Sequence, residues 1–123
     1  MKFATKLILF AAAVVIIVLA FAFFPSANST KYDSFAQCLN GKGMKIYVAS
    51  WCPHCHDQEA MFGSSFSKLS SVVCSTDPSQ ETQECQSLGI QSYPTWKFPN
   101  GAMQPGVLSL EQLSAISGCQ LPA

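Results

Sequence analysis

Cys52-Pro53-His54-Cys55 sets two thiols two residues apart, with Trp51 before them and Tyr93-Pro94-Thr95 farther along the chain. Cysteines at this spacing, at the start of a helix, can close and reopen a disulfide. A helix N-terminus offers unpaired N–H groups and the positive end of the dipole, which together stabilise a thiolate. Cys52, at the tip, is expected to be the exposed sulfur that attacks a substrate or is attacked by it. Cys55, one turn in and more buried, would resolve the mixed disulfide. Pro53 and His54 tune how readily the bond opens, and His54 can stabilise the thiolate further. Stabilising the thiolate favours the dithiol, so the disulfide becomes a stronger donor.

The same residues admit other chemistry. Cys52-Pro53-His54-Cys55-His56 fits C-x-x-C-H, the attachment site of c-type haem, with Met61 or Met103 as distal ligand. A strand-like segment before the motif, four further cysteines and an unexplained Tyr93-Pro94-Thr95 oppose that reading. Zinc is a second alternative, since Cys52, Cys55 and either His54 or His56 make half a ligand set. No second C-x-x-C or H-x-H follows, and Cys74 and Cys85 are too loosely spaced for a knuckle. A non-catalytic interaction module stapled by Cys52–Cys55 is a third. The redox reading needs no cofactor or metal.

Composition narrows the setting. The 123 residues include six cysteines and no arginine, and the formal net charge is zero. Nucleic acid is a poor partner for such a chain, and no Gly-rich phosphate loop is present. Six cysteines point to an oxidising compartment. Lys2 and Lys6 precede an apolar run from Leu7 to Phe24, ended by Pro25. As a helix this run would be roughly 27 Å long at ~1.5 Å per residue, close to the ~30 Å hydrocarbon core. A retained single-pass anchor is expected, with the basic N-terminus cytoplasmic and the rest outside, in the periplasm or at the cell exterior. The alternative is a signal peptide cut after Ala20-Phe21-Ala22, which would leave a secreted protein. Residues 1–30 are read as anchor and polar linker, and residues 31–123 as one small domain.

Within that domain the elements must place the thiols. Tyr32 to Asn40 reads as a helix stopped by Gly41-Lys42-Gly43, and Met44 to Ala49 as a buried strand. A helix from the cysteines to about Ser67 would bury Met61, Phe62 and Phe66. Ser71 to Cys74 is a second strand, the polar Ser75 to Glu81 a loop, and Thr82 to Leu88 a helix. Thr95 to Phe98 and Ala102 to Gln104 form a hairpin about Asn100-Gly101. Ser109 and Gln112 are spaced as the capping box of a last helix. The order is α-β-α-β-α-β-β-α.

The other four cysteines are expected to be structural. Cys74 and Cys85 could close the polar loop, which would leave Cys38 and Cys119 to pair. Four cysteines allow three connectivities, and spacing does not choose among them. A relay pair passing electrons onward is the functional alternative.

The element order, Trp51-Cys52-Pro53-His54-Cys55 at a strand-to-helix junction and Tyr93-Pro94 before the final hairpin resemble the thioredoxin fold, an α/β fold with a central mixed sheet flanked by helices. Phe35, Cys38-Leu39, Phe62-Gly63-Ser64-Ser65, Tyr93-Pro94-Thr95-Trp96 and Gly106 to Leu110 further resemble the thioredoxin-like domain that accompanies bacterial vitamin K epoxide reductase homologues. The likeness covers about Phe35 to Gly118. It implies a cis bond at Pro94, a substrate peptide docked on the backbone of Tyr93, and apolar contact from Trp51 and Tyr93. The alternatives are an ordinary turn proline and plain core packing. Pro-His between the cysteines is similar to DsbA-type periplasmic oxidants. The resemblance therefore implies disulfide donation to reduced or misfolded exported proteins and reoxidation by a membrane quinone reductase of the vitamin K epoxide reductase type. A reductase or isomerase of the same fold, such as one serving cytochrome maturation, is the alternative function. Ile46 departs from thioredoxin, which carries a buried acid six residues before its first cysteine. A fast general reductase is therefore less expected, and the route by which Cys55 loses its proton is unassigned, with His56 and Glu59 near it in sequence.

Overall fold

The computed structural model describes residues 1–23 and 30–123. The expected end of the apolar run at Phe24-Pro25 and the linker as far as Ser29 lie outside the described residues. Helix α1, Lys2–Phe23, is exposed along its length and is long and apolar enough to cross a membrane. It spans about 33 Å at ~1.5 Å per residue.

After α1 come α2 (Asp33–Gly41), β1 (Lys45–Ala49), α3 (Pro53–Phe62), a 3-10 segment (Gly63–Lys68), β2 (Ser71–Ser75), α4 (Gln83–Ser87), β3 (Thr95–Lys97), β4 (Met103–Pro105) and α5 (Leu110–Ser117). The sheet order is β2-β1-β3-β4. β1 runs parallel to β2 and antiparallel to β3, which pairs antiparallel with β4. The expected mixed sheet flanked by helices is present.

β1 is central, and all its residues but the first are buried. Ile46 and Val48 join a cluster with Phe35 and Leu39 of α2, Phe62 of α3, Trp96 of β3 and Leu113 of α5. Tyr47, between them in sequence, joins Cys74, Cys85 and Ile90 in a second cluster. Alternate side chains of a strand point to opposite faces, so both faces of β1 are covered, and its sequence reads as a continuous apolar run rather than an alternation. Pairing of β1 with β2 passes from Val48↔Val73 to Ala49↔Ser75, which leaves Cys74 as the extra residue of a bulge. This irregularity lies just before the turn that carries the thiols, and bulges tend to re-aim side chains beside active sites.

Two bridges close the domain. Cys38–Cys119 ties α2 to the segment after α5 across 81 residues, and Cys74–Cys85 spans 11. By the chain-entropy account such loops stabilise by roughly 3 to 5 kcal/mol, the longer one more. The last helix carries the expected capping box: Ser109 Oγ accepts from Gln112 N–H, and the Gln112 side chain accepts from Ser109 N–H. A cap of this kind contributes about 1 kcal/mol.

Two expectations are corrected. The helix after the cysteines ends at Phe62 rather than near Ser67, because Gly63 turns the chain at φ 58° and a 3-10 segment follows. Met61 is exposed rather than buried. The buried face of α3 is Cys55, Gln58 and Phe62, and Met61 falls off that face.

Candidate active site

Ser50 and Trp51 turn the chain from the end of β1 into α3, and Cys52 caps the helix. Its backbone is extended, at φ −86° and ψ 119°, and Pro53 occupies the first turn, where a missing N–H costs nothing and its fixed φ suits a helix start. Cys55 N–H donates to Cys52 Sγ at 3.4 Å. The first sulfur thus takes the role that a serine or aspartate oxygen plays at other helix starts.

Across the turn, the Tyr93–Pro94 peptide bond is cis, and Cys52 Sγ donates to Tyr93 O at 3.4 Å. Trp51 meets Tyr93 edge-on, with ring centroids 6.0 Å apart and planes at 89°. Trp51 is exposed and Tyr93 half-buried, so neither is a plain core residue. A cleft of about 470 Å³ opens beside the two rings, walled also by Pro78, Glu81, Gln86 and Ile90. Cys52, Cys55, Trp51, Tyr93 and Pro94 therefore come together at one end of β1.

The exposure of Cys52 is corrected. The residue is 5% exposed and Cys55 is 0% exposed. The order of accessibility is as expected, but Cys52 is shielded because the Tyr93 carbonyl and the first turn of α3 close over its sulfur. His54 is largely exposed, and its Nδ1 lies 3.7 Å from Asp57 Oδ2 one turn on. His56 Nε2 lies 3.1 Å from Ser50 O, so its ring braces the turn. Glu59 is half-buried. Cys38, Cys74, Cys85 and Cys119 form the two bridges, while Cys52 and Cys55 are both free thiols.

Burial pushes the Cys55 thiol up to about 12, a backbone hydrogen bond at Ala49 opposes the rise, and Cys52 and the charge of Glu59 add to it. Folding therefore holds a proton that the unfolded chain releases near 9.0. Stability of the dithiol form should be fully present below pH 9 and decline as pH rises from about 9 towards 12. The disulfide form has no such thiol. Urea midpoints of the two forms measured across this range check the expectation: the dithiol midpoint should fall relative to the disulfide midpoint above pH 9, and a constant offset between them would contradict it.

Two residues of the site escaped the sequence reading. Gln58 is fully buried one turn beyond Cys55. Its Nε2 donates to Leu108 O at 2.9 Å, and its Oε1 accepts from Leu108 N–H at 2.9 Å and from Trp96 Nε1 at 3.0 Å. Its place on the Cys55–Phe62 face was the available signal. Glu81 Oε1 accepts from Tyr93 Oη at 2.5 Å, which no local pattern announces. Burial and this bond raise the Tyr93 phenol above its ordinary value.

The chain is similar to known proteins over most of its length. A family model described as Thioredoxin matches residues 26–114. The thiol-disulfide oxidoreductase LTO1 of Arabidopsis thaliana is 33% identical over 102 residues, 78% of this chain. The chain spans only 27% of that relative's length. The crystal structure of the thioredoxin of Malassezia sympodialis (Mala s 13) aligns with a TM-score of 0.40 and 24% identity, over 73% of this chain and 86% of that one.

Proposed function

The chain belongs to the thioredoxin family, and from that membership we propose that it is a membrane-anchored thiol–disulfide oxidoreductase donating disulfides to exported proteins outside the cytoplasm. The observation that carries the reading is Cys52 Sγ capping α3 while facing the backbone of Tyr93. Helix N–H groups stabilise negative charge on sulfur, and the neighbouring carbonyl offers an extended peptide a place to dock.

Donation proceeds in two exchanges. A substrate thiolate attacks Cys52 Sγ, the Cys52–Cys55 bond breaks, and Cys55 takes up a proton. The substrate's second thiolate then attacks the substrate sulfur of the mixed disulfide and releases Cys52. Two substrate thiols lose two electrons and two protons, and Cys52 and Cys55 gain them.

Cys55 supports this direction. A Cys55 thiol held protonated attacks the mixed disulfide only slowly from within, so the substrate's second thiol competes with it for resolution. Ile46, fully buried where thioredoxin has an acid, offers no base to relieve that restraint. Lys2 and Lys6 favour a cytoplasmic N-terminus for α1, which supports the reading of an external domain. Reoxidation is assigned to a quinone-reducing membrane partner of the vitamin K epoxide reductase type, supported by the motif resemblance.

Equilibration of the Cys52–Cys55 pair with glutathione buffers tests the direction. The expected potential lies above about −200 mV. A value near about −270 mV, that of thioredoxin, would make the protein a reductant instead.

A further inference from the structure

We propose that Glu81 is a positioning residue for disulfide exchange, acting through Tyr93 on the ledge where a substrate peptide docks. The inference rests on the redox reading above and extends it to the loop between β2 and α4.

That loop holds both rings beside the redox sulfur. Ser75, at its start, accepts from Trp51 Nε1 at 2.9 Å and donates to Asp77 O at 2.6 Å. Glu81, at its end, accepts from the Tyr93 hydroxyl. The loop is itself braced. Asp77 Oδ1 accepts from the backbone and hydroxyl of Ser79, Thr82 N–H donates to Cys74 O at 2.8 Å, and the buried Cys74–Cys85 bridge closes the base. Tyr93 lies in an irregular segment between α4 and β3; its ring packs against Trp51 and the two apolar clusters, and Glu81 is the hydrogen-bond partner of its hydroxyl among the described residues. Its carbonyl is the group in contact with Cys52 Sγ. A hydrogen bond to a charged acceptor is stronger than a neutral one. Anchoring the ring holds the backbone behind it, and small displacements of a docking group weaken exchange out of proportion to their size. The second bridge thereby supports the reaction without exchanging electrons.

The test compares Glu81→Leu with Glu81→Gln, whose amide oxygen can still accept from Tyr93. Two rates are read for each protein in its disulfide form: oxidation of a dithiol peptide long enough to lie along Tyr93, and oxidation of reduced glutathione, too short to do so. The ratio of peptide to glutathione rates should fall about tenfold in Glu81→Leu and stay within twofold of the unmodified protein in Glu81→Gln. An unchanged ratio in Glu81→Leu, or an equal fall in both variants, overturns the proposal. Ultraviolet titration supplies a second readout: with the carboxylate gone, one phenol should titrate at lower pH in Glu81→Gln, and unmoved phenols would overturn it as well. If the unmodified protein oxidises neither peptide nor glutathione, the redox reading fails first and takes this inference with it.

Discussion

Cys52→Ser is expected to abolish peptide oxidation, lowering its rate at least a thousandfold, while Cys55→Ser traps the substrate. The asymmetry follows from the geometry. Cys52 Sγ is the sulfur at the helix tip beside the Tyr93 carbonyl, whereas Cys55 is sealed beneath it. Serine at the tip is a hydroxyl with no accessible anion and no sulfur to exchange, so the loss exceeds the range of a positioning effect. With Cys55 removed, a substrate activated as a mixed disulfide can still join Cys52, but no internal thiol can displace it. Mass spectrometry under non-reducing conditions should show that adduct on Cys55→Ser and not on Cys52→Ser. Normal oxidation by Cys52→Ser, or adducts on the other sulfur, would refute the assignment.

The largest expected loss of stability comes from Gln58→Leu, about 3–5 kcal/mol. The leucine fills similar space but strands the Leu108 N–H, the Leu108 carbonyl and the Trp96 indole N–H in the core. Each buried group left without a partner costs about 1–3 kcal/mol. For a domain of this size, with total stability on the order of 5–10 kcal/mol, that is a large share. Urea unfolding of the disulfide form measures it, and a loss below about 1 kcal/mol would show that water or rearrangement replaces the amide. Gln58→Glu should be costly too, since it buries a charge and turns a carboxylate oxygen towards the Leu108 carbonyl and Met61 sulfur that the amide nitrogen now serves.

Much of the site was legible because its signals are local. Pro53 after Cys52, the Gly41–Gly43 stop and the Ser109–Gln112 box each act within one turn of chain, and the elements form where these residues put them. β1 was legible for another reason, as a strand covered on both faces leaves no polar residue to interrupt its run. What failed was set at long range. Gln58 looks like an ordinary polar helix residue until Leu108, 50 positions away, arrives to meet it. Glu81 belongs to a stretch readable only as loop, and its partner lies beyond the next helix. Cys38–Cys119 is reached only by elimination once Cys74 and Cys85 are paired; it joins the ends of the domain as expected, although no spacing rule selects that contact by itself. Met61 was misplaced by treating α3 as longer than Gly63 allows, which rotated the imagined apolar face.

The two permanent bridges have a bearing on how a new copy is made. Under the proposed export, a new chain arrives with six thiols, and four of them must be joined in one arrangement out of several before the loop that steadies Trp51 and Tyr93 is closed. A protein proposed to hand out disulfides is thus, at birth, a client for two of them, and its maturation depends on an oxidant already at work, whether another enzyme or an older copy of itself.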